Sequence, residues 1–162
     1  MADRSPPAEG LICSEVDPRS DDARHALREY YAELARRFPR GFDVTLSRDP
    51  DAADMIRPRG AFFLARSGAV TLGCVGLNGH GGRWAEVKRL WVAPSARGLG
   101  LARRLMLAVE QAAAELGVET LRLDTNSALP EAAALYRNTG WREIARFNDD
   151  PYAEMFFEKR LG

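Results

Sequence analysis

Apolar residues recur at steps of three and four along several stretches of the chain, and this spacing is typical of an amphipathic helix. The predicted helices cover residues 22–38, 50–55, 101–116 and 131–138. The first follows Ser20 and Asp21, either of which can cap a helix N-terminus. Gly117 is suited to end the third. The pattern therefore predicts about four helices.

Short apolar runs, several of them alternating with polar residues, predict strands. The seven predicted strands cover residues 11–16, 61–66, 70–77, 86–92, 118–124, 141–147 and 155–161. Gly68 marks a hairpin turn between the second and third strands, and such turns join antiparallel neighbours. A helix separates the fourth strand from the fifth, which implies a parallel pair with a right-handed crossover. We therefore expect one α/β (α+β) domain with a mixed, mostly antiparallel sheet of about seven strands.

Length and composition are typical of one globular domain. The chain has 162 residues, of which 46% are hydrophobic and 28% are charged. This length is enough for one sizeable core and too short for two ordinary domains. Residues 1–9 are polar, contain prolines and lack the apolar segment of a secretory signal. We interpret residues 1–9 as a flexible tail and residues 10–162 as the folded domain.

The charge balance argues against two classes of partner. Lys plus Arg number 23 and Asp plus Glu number 23, whereas nucleic-acid binders and polybasic membrane-surface proteins are usually basic. No apolar run approaches the ~20 residues of a membrane span. Cys13 and Cys74 lie in apolar stretches and are expected to be free thiols, which favours the reducing cytoplasm. His25 and His80 have no metal-ligand spacing around them, so no metal site is expected.

The turn between the fourth strand and the third helix carries the clearest chemical signal. Gly98 and Gly100 leave backbone N–H groups uncovered, and Arg97 adds a full positive charge. The helix N-terminus adds unpaired N–H donors and the positive end of its dipole. Together these groups suit a phosphate or pyrophosphate. A plain β-turn, in which the glycines only ease the backbone, is the alternative.

Two other phosphate-binding folds fit this segment less well. A dinucleotide-binding motif has three glycines and an acidic residue at the end of the next strand. Asp124 meets the acidic requirement, but Arg103 occupies the position of the third glycine, and too few residues follow for a doubly wound sheet. A P-loop is excluded because no Gly-Lys-Ser/Thr follows the turn.

Two segments together resemble the GNAT superfamily of acetyl-CoA-dependent N-acetyltransferases. The family pattern Arg/Gln-x-x-Gly-x-Gly/Ala is met by Arg97, Gly100 and Ala102. Residues 132–141, Ala-Ala-Ala-Leu-Tyr-Arg-Asn-Thr-Gly-Trp, are similar to the family's Ala-x-x-Leu-Tyr-x-x-x-Gly-Phe element. The resemblance covers about residues 61–161.

The resemblance implies how acetyl-CoA binds. The parallel pair of strands splays apart to admit it, the pyrophosphate lies on the glycine turn, and the pantetheine arm runs along the fourth strand. An amide N–H of that strand, such as that of Leu90, then stabilises the oxyanion. The implied acetyl-CoA-binding residues are Leu90, Trp91, Val92, Arg97, Gly98, Leu99, Gly100, Leu101, Ala102, Asn126, Ala132 and Tyr136.

The resemblance also implies two catalytic residues. Tyr136 would protonate the departing thiolate, and Glu86, four residues before Leu90, would accept the proton of the amine. The acetyl group then passes directly to the amine through a tetrahedral intermediate. The alternatives are a core tyrosine at the first position and, at the second, a surface glutamate paired with Lys88 or Arg103.

The expected acceptor is the primary amine of a small molecule. Residues 148–152, Asn-Asp-Asp-Pro-Tyr, offer two carboxylates and an aromatic ring to a cationic amine, and a solvated turn is the alternative. A protein or peptide acceptor remains an alternative function, as does a protein that binds acetyl-CoA without turnover. Because many relatives form homodimers, the resemblance also allows a homodimer here.

Overall fold

The computed structural model describes residues 10–46, 49 and 52–162, so the tail predicted over residues 1–9 lies outside the described residues. Within them, seven strands and three α-helices follow one another in the order β1 (Leu11–Glu15), α1 (Asp21–Arg37), β2 (Gly60–Ser67), β3 (Val70–Gly79), β4 (Trp84–Val92), α2 (Leu101–Glu115), β5 (Thr120–Thr125), α3 (Pro130–Asn138), β6 (Arg142–Ile144) and β7 (Met155–Arg160). The described helices lack the length and apolarity that crossing a membrane requires.

The structure differs from the predicted pattern of helices at one place. Ser20 caps α1, as predicted, by accepting a bond from the amide of Ala23 at 3.4 Å. The helix predicted over residues 50–55 is wrong for the part that is described: residues 52–55 form a turn, and residues 50 and 51 lie outside the described residues. Ala52 has a φ of 56°, which an α-helix does not accommodate, and the Asp49 carboxylate accepts the amides that follow it. The described residues therefore contain three α-helices rather than four.

The seven strands form one mixed sheet in the order β1-β2-β3-β4-β5-β7-β6. The pair β4 and β5 is parallel and its other neighbours are antiparallel, which confirms the predicted fold class. The strand predicted over residues 141–147 is shorter, because the chain leaves the sheet after Ile144. Arg146 holds the departing loop by donating to the carbonyl oxygens of Asn148, Asp150 and Ala153.

The two parallel strands separate soon after they meet. β4 pairs with β5 only from Trp84 to Glu86, and the last pair joins Glu86 to Arg122. Beyond it, the register between β3 and β4 shifts, and Arg89 on β4 has a φ of 61°. An extra residue with such a φ is a β-bulge, which bends a strand away from its neighbour. A groove therefore opens between the carboxyl ends of β4 and β5.

A buried thiol supports this bulge from the adjacent strand. Cys74 on β3 is fully buried, and its Sγ donates to the carbonyl oxygen of Arg89 at 3.3 Å. Burial raises the pKa of Cys74 to about 12, so the thiol keeps the proton that it donates. Cys74 thus acts as a hydrogen-bond donor within the sheet.

Different segments cover the two faces of the sheet. A Cβ added at Gly73 would lie 3.0 Å from Leu105 of α2, whereas one added at Gly76 would lie 2.3 Å from the sulfur of Met55. Side chains three apart on a strand point to opposite faces, so α2 and the segment around Met55 lie on opposite sides. The shared core includes the fully buried Phe62 and Phe157. Burial on both faces fixes the sheet and hence the place where the groove opens.

Candidate active site

The groove continues along the carboxyl end of β4 as a cavity of about 350 Å³, whose far side is formed by α3 after β5 has separated. Its walls come from α1, from the carboxyl end of β4, from the start of α2 and from α3. Nine of the twelve predicted acetyl-CoA-binding residues line it: Leu90, Trp91, Val92, Arg97, Gly98, Gly100, Leu101, Ala102 and Ala132. Leu99 lies on the same turn without lining the groove and is 45% exposed. Asn126 and Tyr136 line an adjoining cavity instead.

The turn before α2 has the geometry of an anion site. Gly98 and Gly100 have φ values of 83° and 76°, a conformation that L side chains rarely adopt. A Cβ at either position would meet nothing within 4 Å, so their backbone faces open space. The first backbone bond of α2 runs from Arg104 to Gly100, which leaves the amides before Arg104 without helical acceptors. The turn and helix end therefore present a row of N–H donors to the groove.

Arg97 is held at the edge of the groove by two contacts. Its Nε donates to the carbonyl oxygen of Val92 at 3.1 Å, and its Nη2 pairs with the carboxylate of Glu33 on α1. A second ion pair joins Arg37 of α1 to Glu131 of α3. Glu33 and Glu131 both line the groove. In the structure, α1 is therefore tied across the groove by two arginine–carboxylate pairs.

The edge of β4 that faces the groove presents the backbone N–H of Val92. The amide of Ala93 donates to Leu72 on β3 at 2.8 Å. Residues along an antiparallel strand alternate between bonding their neighbour and facing away from it. Val92, the residue before Ala93, therefore directs its N–H away from β3. An extended ligand in the groove can accept from it as an added strand does.

A smaller cavity of about 100 Å³, which we call the inner cavity, continues the groove. The two share residues from α1, β4 and α3, among them Tyr30, Leu90 and Ala132. Tyr136 lines the inner cavity, is 5% exposed and packs against Trp141 and Phe157, with ring centroids 5.9 Å and 5.7 Å away. The inner cavity is therefore the place where a ligand from the groove and the phenol of Tyr136 meet.

Electrostatics keep the Tyr136 phenol protonated. Burial, and secondarily the nearby Asp124 carboxylate, raise the pKa of Tyr136 above its ordinary value of about 10. Both causes disfavour the phenolate, since it would be a second negative charge in a poorly hydrated site. At neutral pH, Tyr136 consequently has a proton to donate.

Asp124, at the end of β5, also lines the inner cavity. Asn148 donates to its Oδ2 at 2.7 Å. Burial raises the pKa of Asp124, with Asp150 and Glu86 adding to the rise, and Lys88 and the Asn148 bond opposing it. From the sequence alone Asp124 suggests only the acidic residue of a dinucleotide motif, so its place in this cavity was not predicted.

Glu86 lies in a third cavity of about 190 Å³, the outer cavity, which shares Lys88 and Asp150 with the inner one. Glu86 is 2% exposed, so the alternative of a surface glutamate is wrong. The predicted pairing with Lys88 is confirmed, since Nζ of Lys88 lies 3.2 Å from Oε2 of Glu86. The other oxygen lies 2.8 Å from Nε2 of His80, whose ring stacks on Trp84 at 4.0 Å. Glu86 is therefore held between two basic side chains.

Asn126 connects two loops of the site. Its Nδ2 donates to the carbonyl oxygen of Tyr152 at 2.9 Å, and its Oδ1 accepts from the amide of Ala128 at 2.8 Å. Both polar atoms of the side chain are thus used in holding the loop before β7 against the end of β5. Its contact with pantetheine stays a prediction.

The loop at residues 148–152 reaches the cavities as predicted for an acceptor site. Asp150 and Tyr152 line the inner cavity, and Asp149 and Asp150 line the outer one. Tyr152 lies against two rings of the other wall, with its centroid 4.8 Å from Phe42 and 5.6 Å from Phe38. The inner cavity therefore combines an aromatic wall with carboxylates.

Two further groove residues were not predicted from the sequence. Tyr30 lines both the groove and the inner cavity, and burial raises its pKa with a further contribution from Tyr136. Glu33 pairs with Arg97. The helical spacing of α1 predicts which of its residues face the sheet, but it carries no sign that the groove runs beneath them. Among the described residues, no group of three or more His, Cys, Asp or Glu side chains could hold a metal ion.

Comparison with known proteins places this site in a family. The model of the acetyltransferase (GNAT) family matches residues 25–141. An uncharacterized N-acetyltransferase of Schizosaccharomyces pombe is 31% identical over 144 residues, which is 85% of this chain and 85% of that protein. A GNAT-family acetyltransferase from Staphylococcus aureus superposes with a TM-score of 0.81 at 21% identity, over 94% of this chain and 99% of that one. Another GNAT-family acetyltransferase, from Elizabethkingia anophelis with acetyl-CoA bound, superposes with a TM-score of 0.66 at 14% identity, over 94% of this chain and 99% of that one.

Proposed function

The chain belongs to the GNAT acetyltransferase family and is an N-acetyltransferase that uses acetyl-CoA, and we propose that its acceptor is the primary amine of a small aliphatic molecule. The observation that carries the proposal is the inner cavity, which joins the groove to the Tyr136 phenol. At about 30 Å³ per water in the liquid, its 100 Å³ corresponds to about three waters. An acceptor with a narrow reactive end fits a space of that size.

The groove supports acetyl-CoA binding in the manner expected of the family. The amides between Arg97 and Ala102 would hold the pyrophosphate, where the dipole of α2 favours negative charge. Leu90, Trp91 and Val92 would pair with the pantetheine arm through their backbone. The Elizabethkingia anophelis relative, which shares the fold, was crystallised with acetyl-CoA bound. For this chain, the residue assignments remain proposals.

The chemistry proposed for the inner cavity is direct transfer. The amine nitrogen attacks the thioester carbonyl carbon, and a free amide of β4, that of Leu90 or a neighbour, stabilises the negative oxygen. The C–S bond then breaks as Tyr136 gives its proton to the sulfur. A base must first take a proton from the ammonium group, because a protonated amine has no lone pair. Glu86 is the base predicted from the resemblance.

Charge supports a cationic acceptor. The inner cavity balances Asp124 and Asp150 against Lys88 and Arg89, and Glu86 and Asp149 add two carboxylates in the outer one. The negative excess of the lining therefore comes from the outer cavity, through which the acceptor would enter. Such a lining attracts an ammonium group and repels a carboxylate.

A set of three amines of equal chain length tests the proposal. Release of free CoA thiol is followed with acetyl-CoA and either 1,5-diaminopentane, pentylamine or 5-aminopentanoate. We expect turnover with the first two, fastest with the diamine because its second cation can occupy the outer cavity, and the slowest rate with 5-aminopentanoate. Preference for the carboxylate, or turnover only with peptides, would contradict the proposed acceptor. Stabilisation by acetyl-CoA without thiol release from any amine would identify a binding protein instead.

A further inference from the structure

We propose that Asp124 is the general base of this enzyme and takes the proton of the acceptor amine; the inference rests on the proposed function. It differs from the prediction based on family resemblance, which assigns this step to Glu86. Three observations carry it: the place of each carboxylate in the sheet, the cavity that each one lines, and the partners that each one has.

The place in the sheet follows from the register of β4 and β5. Glu86 occupies the last paired position, opposite Arg122, where the sheet is still closed. Asp124 lies two residues farther along β5, beyond the point where the strands separate. Residues two apart on a strand point to the same face, so Asp124 repeats the orientation of Arg122 at a position where the groove is open.

The cavities separate the two carboxylates further. Asp124 lines the inner cavity together with Leu90 and Tyr136, the residues proposed to contact the reacting thioester. Glu86 lines the outer cavity, which reaches the inner one through Lys88 and Asp150. A base must lie within hydrogen-bond reach of the proton that it takes, directly or through one water. Asp124 shares the reaction space, whereas Glu86 lies one cavity away.

The side chains that contact each carboxylate also favour Asp124 as the base. Glu86 lies between two basic side chains, 2.8 Å from Nε2 of His80 and 3.2 Å from Nζ of Lys88, and its Oε2 accepts no hydrogen bond from the described residues. Asp124 accepts a bond from Asn148 on Oδ2, which orients the carboxylate at the wall of the inner cavity. Burial raises the pKa of Asp124 above that of an ordinary aspartate, which makes it a stronger proton acceptor.

Four side chains besides burial act on the pKa of the Asp124 carboxyl group. Lys88 on β4 lowers its pKa, and Asn148 does so through its hydrogen bond. Glu86 on β4 and Asp150 in the loop before β7 raise it. The phenols of Tyr136 on α3 and Tyr30 on α1 are both coupled to Asp124, and the pKa of each is raised. The carboxylate thus remains a base while the two phenols stay protonated.

The proton balance is complete with these groups. An N–H bond of the ammonium breaks and its proton passes to Oδ1 of Asp124, which frees the lone pair for attack on the carbonyl carbon. When the C–S bond breaks, Tyr136 protonates the sulfur and recovers a proton from the nitrogen, which becomes the amide. Asp124 then releases its proton to water through the cavity. The products are the N-acetylated amine, CoA with a free thiol, and one proton.

The test compares kcat/KM as a function of pH for the wild type, Asp124→Asn and Glu86→Gln, with 1,5-diaminopentane as acceptor. For Asp124→Asn we expect a loss of about 10²- to 10⁴-fold at neutral pH and an acidic limb that moves up to the pKa of the amine itself, about 10, because only the unprotonated amine can then attack. Asp124→Glu should restore part of the rate and the lower position of the limb. Glu86→Gln should keep the limb at its wild-type position even where its rate is reduced. Glu119→Gln is the matched control, since Glu119 is an exposed carboxylate just before the same strand, outside the cavities.

Other results would overturn the inference in distinguishable ways. An acidic limb that keeps its wild-type position in Asp124→Asn and moves to the pKa of the amine in Glu86→Gln would identify Glu86 as the base. An Asp124→Asn protein whose Tm or acetyl-CoA affinity falls together with its rate would show that the residue is structural. A wild-type protein that binds acetyl-CoA but acetylates no amine would remove the proposed function itself, and this outcome is recognised before any variant is made.

Discussion

Placing an aspartate at Gly100 should strongly weaken acetyl-CoA binding, with little more damage to the fold than the same change at Gly68. Both glycines have positive φ, 76° and 59°, and a Cβ at either one meets nothing within 4 Å. Gly68 lies in the turn between β2 and β3, whereas Gly100 caps α2 at the edge of the groove. The pair therefore separates the cost of backbone strain from the effect on the ligand.

The magnitudes follow from the geometry. Left-handed backbone costs an L-residue about 1–2 kcal/mol, so each variant should lose about 2–8 °C in Tm for a domain of this size. At Gly100 the new carboxylate also meets the pyrophosphate. A like charge about 4 Å away costs about 1–4 kcal/mol between the bulk-water and surface limits, which corresponds to a loss of affinity of about 100-fold at the middle of that range.

The assay is thermal unfolding with acetyl-CoA at about 100 times the wild-type Kd, where mass action stabilises the wild type by about 2.7 kcal/mol. Gly68→Asp should keep this gain. Gly100→Asp, at the same ligand concentration, is then near its own Kd and should gain only about 0.4 kcal/mol. A full gain in Gly100→Asp, or a loss of the gain in Gly68→Asp as well, would refute the assignment of the pyrophosphate to this turn.

Three other predictions use different parts of the site. Tyr136→Phe should lower kcat about 100-fold and leave the Kd of acetyl-CoA within about twofold. Steady-state kinetics gives kcat and calorimetry gives Kd. A rise in Kd as large as the fall in kcat would show that Tyr136 acts through packing. Glu33→Gln should tighten acetyl-CoA binding several-fold at low salt, because the change frees Arg97 and removes a negative charge from the groove. This gain in affinity should fade as the salt concentration rises. Unchanged affinity at low salt would contradict the prediction. The pKa of Glu131 is lowered by its arginine partner on α1, so this pair stabilises the fold above the unfolded-state pKa and is lost as pH falls through the folded-state value. Glu131→Gln should therefore flatten the decline of Tm in the acidic range, and an unchanged slope would show that the pair contributes nothing.

Local patterns predicted most of the fold because the features that define it are local. Gly68 sets a hairpin and Ser20 caps a helix through bonds within three residues of the chain. The predictions that were wrong depended on hydrogen bonds between side chains and nearby backbone groups, which the pattern of apolar residues does not display. Arg146 takes the chain out of the sheet by binding three carbonyl groups of the following loop. Ala52 adopts a left-handed φ in a turn where Asp49 accepts the amides of the next residues.

The candidate site divides in the same way. Gly98 and Gly100 could be predicted, because a positive φ before a helix is a local requirement that glycine meets. Leu99 lies on the same turn but does not line the groove. The motif predicts which residues form the turn, but it does not predict which of them contact the groove. Glu33 and Arg97 are far apart in the chain, and only the packing of α1 across the groove brings them together.

The position of the proposed base depends on a feature that the sequence does not display, which is the point where two parallel strands part. If β4 ran straight, pairing with β5 would continue past Glu86 and Arg122, and the backbone beside Asp124 would bond to β4 instead of bordering an open cavity. The bulge at Arg89, supported by the Cys74 thiol, stops that pairing and turns the end of β5 into a wall of the inner cavity. A carboxylate in an open position can accept a proton from a ligand, whereas one at the closed end of the pair, such as Glu86, is held by the side chains around it. A shift of the bulge by a few residues along β4 would therefore change which carboxylate meets the amine, without any change at either acidic position.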